Sequence, residues 1–412
     1  MRYNWNPLLV PVAILLGLSL VQECHTDRDG ISAGGFTEPL LDSCRLEPDH
    51  QYYITLPDKF NSNQSLPLVI IIDPHGDGLT ALQKFRGALK GLPLVLTGSE
   101  KLKNNYEGFE ASLKNLHQDV LGKYPVDPQS VIVAGFSGGA RMALYYGLKK
   151  PVEGIIMFGA GPGQLPDGLQ GKQLYTVSGT RDFNFVEQYR PLFSGIPNTT
   201  GYLNDYFRGI HAWPPERYIR EAVVFCLREE TEPYHHISNL ISGEFLEEFD
   251  SLQNANDLFF AGKALEKAWY FATKSKQKDK LQGKIEAFEH NVAWFTSQKE
   301  IEEYLKAEDR IKHQYVEKLA DPDMEWWSGE LDTLFINISE SGNPVEKDYY
   351  YRLKGFLGIY LYTRINQVLM AKDPTDLPDR LLEIYERVEP QSEDLDHFKS
   401  ELSRLREMKV PQ

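Results

Sequence analysis

The stretch Ser130-Val-Ile-Val-Ala-Gly-Phe-Ser-Gly-Gly-Ala140 decides how the rest of this sequence is read. Ser130 to Phe136 is an almost unbroken apolar run, as expected of a strand covered on both faces. Ala140 to Leu148 is helical in composition. Between them, Gly135-Phe-Ser-Gly-Gly139 fits Gly-x-Ser-x-Gly in the strand-to-helix setting that gives the pattern meaning. In such a turn the serine takes a strained backbone conformation, and side chains at the two flanking glycines would collide with the adjacent strand and helix. Ser137 is thereby expected to stand above a sheet at a helix N-terminus as a candidate nucleophile. The plainer alternative is a glycine-rich turn.

Working outward, similar runs recur at Pro67–Asp73, Leu92–Thr97, Val152–Phe158 and Leu174–Ser178, separated by helical stretches such as Leu79–Leu89 and Gly108–Leu121. The alternation predicts an α/β fold with a doubly wound, mostly parallel sheet over residues 46–230. Ligands of such sheets bind at the carboxyl ends of the strands. Beyond residue 230 the periodicity becomes helical: His235–Leu252, Asn256–Lys274, Asp279–Phe295, Lys299–Ala320, Val345–Ala371, Asp376–Val388 and Ser392–Met408. An all-α domain over 231–412 follows from this, with a faint tetratricopeptide-like helix pair at Leu381–Met408. Trp326, Trp327 and Tyr349–Tyr351 are read as helix core, with a sugar- or peptide-binding surface as the alternative.

A serine hydroxyl needs a base. Downstream of Ser137, His211 lies in the loop Gly209-Ile-His-Ala-Trp-Pro214, after a strand-like run and before a helix. His75 and His117 precede the serine, His117 on a predicted helix where it is read as solvated, and His235 and His236 fall in the helical region. The acid that would orient His211 is expected at a strand end between the two, where Leu174-Tyr-Thr-Val-Ser-Gly-Thr-Arg-Asp182 supplies Asp182. A helix cap is the competing use of Asp182, and Asp205 is the rival acid. Amide donors for a developing oxyanion are expected from Gly138 and from the loop Pro74-His-Gly-Asp-Gly78, at Asp77 or Gly76.

The motifs Pro74–Gly78, Gly135–Ala143, Ser178–Asn184 and Gly209–Glu216, in this order, resemble the α/β-hydrolase superfamily. The sequence is most similar to secreted esterases of the poly(3-hydroxybutyrate) depolymerase and feruloyl esterase kind, in which a histidine followed by a Trp-Pro pair is familiar. The resemblance spans Tyr52–Arg228 and stops before the helical half. It implies a Ser137–Asp182–His211 hydrolase of small or polymeric carboxylic esters, working through an acyl-enzyme with no metal or organic cofactor. A peptidase or thioesterase would use the same three residues. A binding or scaffolding protein on a hydrolase fold would instead use the helical half to hold a protein partner. The chain leaves no room between Asp182 and His211 for a lid, so the helical region is the candidate roof.

Composition narrows the field. With 59 acidic against 44 basic residues and a formal net charge of -15, non-specific nucleic-acid binding is disfavoured. At the N-terminus, Arg2 precedes the apolar run Leu8–Val21, shorter than the ~20 residues that span a membrane, so residues 1–24 are read as an export signal and 25–45 as a spacer. Cys24 is a candidate lipid-acceptor cysteine, which would make the protein periplasmic, anchored at the outer membrane or secreted. Export also makes a Cys44–Cys226 disulfide an option, against two separate buried thiols.

Overall fold

The run Leu66–Ile72 shows why a sheet forms. Leu68, Ile70 and Ile72 point to one face and Val69 and Ile71 to the other, and all five are fully buried, so both faces demand a covering layer. The computed structural model describes residues 34–59, 64–164, 167–189, 201–228, 232–373 and 375–407. The expected export signal and Cys24 lie outside the described residues.

The sheet strands are β1 (Leu40–Cys44), β2 (Glu47–Thr55), β3 (Leu66–Ile72), β4 (Val95–Ser99), β5 (Val126–Phe136), β6 (Gly154–Phe158), β7 (Gln173–Gly179) and β8 (Tyr202–Phe207). They lie in the order β1-β2-β4-β3-β5-β6-β7-β8. The β1–β2 and β2–β4 pairs are antiparallel and the others parallel. Helices α1 (Gly78–Ala88) and α5 (Glu216–Leu227) cover one face, and α2 (Phe109–Lys123) and α3 (Gly138–Lys149) the other. A single turn, α4 (Phe185–Gln188), follows β7. The doubly wound, mostly parallel sheet expected from the sequence is thus what the chain builds.

The helical half comprises α6 (Glu232–Asn254), α7 (Leu258–Phe271), α8 (Ser275–Glu289), α9 (Val292–Lys318), α10 (Met324–Glu340), α11 (Pro344–Met370), α12 (Leu377–Val388) and α13 (Asp394–Glu407). The apolar core on the α1/α5 face runs without a break into α6, α7, α8 and the start of α9. A second core joins the rest of α9 to α10–α13. Ala33–Gln412 accordingly forms one compact unit.

The structure revises several expectations. Leu40–Cys44, assigned to the spacer, is an edge strand paired with β2. One helix had been expected over 279–295, but the chain breaks after Glu289, where the Asn291 side chain accepts the Ala293 and Trp294 amides and starts α9. Helix α10 had no expected bounds, although Trp326 and Trp327 within it are read as helix core. It is capped by Asp323, and its Trp327 is wholly buried. No disulfide joins Cys44 to Cys226: both are free, buried thiols, one packed in the core of the α2/α3 face and the other in that of the α1/α5 face. His117 is buried rather than solvated, its Nδ1 paired with the Tyr146 hydroxyl at 2.9 Å.

Candidate active site

Ser137 sits where β5 ends and α3 begins, with φ 52° and ψ -116°, a left-handed conformation that a residue with a side chain rarely adopts. Its amide donates to the Phe158 carbonyl at 2.8 Å, pinning the turn to the end of β6. The glycines on either side are sterically required. A Cβ on Gly135 would lie 2.4 Å from the Gly139 backbone, and one on Gly139 would lie 2.3 Å from the Ile72 carbonyl oxygen.

His211 lies in the loop after β8, 74 residues from Ser137, and its Nε2 stands 3.1 Å from Ser137 Oγ. Its Nδ1 is 2.9 and 3.0 Å from the two carboxylate oxygens of Asp182, which is wholly buried just beyond β7. Asp182 Oδ1 also accepts the Asn184 amide at 2.8 Å, so one carboxylate both shapes its loop and faces the imidazole. The rival, Asp205, is held elsewhere: inside β8 it accepts the Tyr175 hydroxyl at 2.9 Å and pairs with the Lys267 ammonium at 2.6 Å. The serine turn, the imidazole and the carboxylate meet at the carboxyl ends of β5, β7 and β8, on a sheet of order 1-2-4-3-5-6-7-8.

This is an α/β-hydrolase fold.

No family model matches the chain, and no curated protein does. Among solved structures, it is similar to an S-formylglutathione hydrolase from Staphylococcus aureus, at 12% identity, over 47% of this chain and 98% of that one, with a TM-score of 0.37. A bacterial heroin esterase aligns at 14% identity over 50% and 87% of the two chains, with a TM-score of 0.37. A ferulic acid esterase from the anaerobic fungus Anaeromyces mucronatus aligns at 14% identity over 48% and 94%, with a TM-score of 0.33.

Two amides of the hydrolase fold face the question of anion binding. Gly138 opens α3, and amides of a helix's first turn have no acceptor within the helix. In the loop after β3, the Gly76 amide donates to the Asp73 carbonyl at 3.1 Å and the His75 amide to Asp73 Oδ1 at 2.8 Å. Gly76 is thereby removed from the expected donors, because its N–H closes the turn. Asp77 remains: its carboxylate caps α1 by accepting the Thr80 amide at 2.9 Å, and its own amide makes no backbone hydrogen bond among the described residues.

Aromatic rings hold the imidazole in place. Phe136 and Phe183 flank His211 with centroids 4.8 and 4.4 Å away. Trp213 stacks on Phe136 at 5.2 Å and donates its indole N–H to Asp73 Oδ2 at 3.3 Å. Asp73, buried at the end of β3, therefore links the loop that carries Asp77 to the loop that carries His211. No motif marks Asp73 or Phe183 for this role. The available signal was position, since each ends or follows a strand at the face where Ser137 stands. Of the other histidines, His75 is largely exposed and lines the cleft that His211 also lines, its Nδ1 3.5 Å from Asp73 Oδ1, and His235 and His236 lie on α6.

A cleft of about 900 Å³ opens beside His211. The sheet side contributes Pro74, Asn104 and Phe183, and the helical side Tyr351, Lys354 and Tyr362. Asn104 also reaches Gly138, where its Oδ1 occupies the space a Cβ would take. The helical half therefore forms the opposite wall of the cleft.

Proposed function

We propose that this chain is a serine hydrolase of carboxylic esters. Neutral His211 donates its Nδ1–H to Asp182, which fixes the tautomer and leaves Nε2 as acceptor for the Ser137 hydroxyl. As Ser137 Oγ attacks the ester carbonyl, its proton passes to Nε2, and the imidazolium is stabilised by the buried carboxylate. The amides of Gly138 and Asp77 hold the oxyanion. Collapse breaks the bond to the alcohol, which leaves with the Nε2 proton, and the acyl group stays on Ser137. Water repeats the sequence, releasing the acid and restoring the serine.

The observation that carries this proposal is the bridging position of His211, 3.1 Å from the Ser137 hydroxyl and 2.9 Å from the Asp182 carboxylate. A substrate of some bulk and mixed polarity is supported by the cleft, whose size lies near the top of the ~300–1,000 Å³ range of small-molecule sites. The test is labelling with a fluorophosphonate probe. Wild type should react covalently and Ser137→Ala should not. A folded wild type that stays unlabelled refutes the hydrolase and favours the scaffold reading.

A further inference from the structure

The loop that carries Asp182 is gripped from two sides. On the sheet side, the Thr180 amide donates to the Phe207 carbonyl at 2.8 Å and the Arg181 amide to the Gly209 carbonyl at 2.9 Å. On the other side the grip comes from α9 and α11. Arg352 Nη1 donates to the Thr180 carbonyl at 2.7 Å, and Lys312 Nζ donates to the Phe183 carbonyl at 3.1 Å. These two carbonyls bracket Asp182. One carboxylate, Glu308, ties the two cations together, with Oε2 2.6 Å from Arg352 Nε and Oε1 2.6 Å from Lys312 Nζ. A third tie runs from Arg181 Nε to Asp348 Oδ1 at 2.7 Å.

Arg352 and Glu308 are 2% and 1% exposed. Removing such charges from water is costly, and apolar side chains of like volume would join two packed layers at no such cost. What ionic groups add is direction: fixed N–H vectors aimed at particular oxygens. Here they are aimed at the backbone on either side of Asp182, the acid that faces His211.

We infer that Glu308, Lys312 and Arg352 are positioning residues, through which the helical half sets the orientation of Asp182 and hence of His211. The inference rests on the role proposed above for Asp182 and His211 but concerns different residues. A carboxylate displaced by a fraction of an ångström still leaves a folded protein and an intact cleft wall. It no longer holds the imidazole in line with Ser137.

The test compares wild type with Arg352→Met, Arg352→Lys and Lys312→Met in the full chain, each checked for folding by circular dichroism and thermal unfolding. The first readout is the low-field proton of the His211 ring Nδ1–H in histidine-labelled protein, which senses the bond to Asp182 whether or not the protein is an enzyme. The second is kcat and KM on a p-nitrophenyl ester. In Arg352→Met the His211 proton should shift or broaden and kcat should fall by up to about a hundredfold with KM unchanged. Arg352→Lys should restore part of both. Should Arg352→Met fail to fold, Lys312→Met, which removes a contact less deeply buried than that of Arg352, decides by the same two readouts. A folded variant with the wild-type His211 resonance and kcat overturns the inference. If wild type neither hydrolyses the ester nor takes the probe, yet the resonance responds to Arg352→Met, the hydrolase proposal fails and the positioning role stands.

Discussion

Replacing Asp182 with Asn separates geometry from charge. The side chain keeps its shape, and its oxygen can still accept the Asn184 amide as Asp182 Oδ1 does at 2.8 Å, so the loop should survive. With the oxygen so engaged, the new NH₂ faces His211 Nδ1, which now sits 2.9 Å from a carboxylate oxygen. A donor there forces Nδ1 to accept, moves the ring proton to Nε2 and points it at Ser137 Oγ, where an acceptor is needed. The imidazolium formed during attack also loses its counter-ion. Unit charges about 4 Å apart at an effective dielectric of about 20 attract by about 4 kcal/mol. That alone is a rate factor of about 10³, and the trapped tautomer carries the loss toward about 10⁴. The assay is the second-order rate of fluorophosphonate labelling and the kcat/KM of ester hydrolysis, with thermal unfolding as the control for fold. A folded Asp182→Asn protein within about tenfold of wild type, alongside an inert Ser137→Ala, would refute the assignment of Asp182.

Two further outcomes concern stability. Burial holds the His117 imidazole down to about 4, so the fold keeps it neutral while the unfolded chain takes up a proton below about 6.5. Stability should therefore be lost as pH falls from 6.5 toward 4, by about 3 kcal/mol, and urea unfolding of His117→Gln should show a flatter pH dependence; an equal slope contradicts this. Deleting residues 232–412 should leave an insoluble sheet fragment. It would strip the α1/α5 core of its covering and remove Lys267, whose ammonium lies 2.6 Å from buried Asp205 and 2.7 Å from buried Glu221. A monomeric, cooperatively unfolding fragment would contradict that.

What could be read from the sequence followed from local physics. The central strands announce themselves because both faces are covered, which selects uninterrupted Val and Ile. The serine turn does so because Gly135 and Gly139 answer close backbone approaches. The edge was not legible. Leu40 and Leu41 of β1 are 59% and 45% exposed, so an apolar signature never develops, and β2 is built on the mixed run Glu47–Thr55. The turn after β3 was half legible: its glycine was visible, but the use of the Gly76 amide depends on where the Asp73 carbonyl lies. Least legible were the charges on the helices. Nothing in the sequence sets Glu308, Lys312 and Arg352 apart from the other helix charges, because the carbonyl that Arg352 holds is 172 residues away in the chain.

Helix α11 explains why periodicity stopped short of function in the helical half. Leu353, Leu357, Leu361 and Ile365 form one stripe, buried in the second helical core. Asp348 and Arg352 form another, directed at the loop that carries Asp182. Tyr351, Gly355, Gly358 and Tyr362 form a third, lining the cleft. A helix used on three sides has no single polar face, so the pattern that marks an ordinary amphipathic helix is diluted. The small residues of the third stripe permit the close approach: a Cβ on Gly355 would already touch the Phe183 ring at 3.4 Å, and Phe183 packs on His211. The same element thus closes the cleft and braces the acid loop. On the positioning role proposed for Arg352, movement of α11 would therefore change access to the cleft and imidazole alignment together.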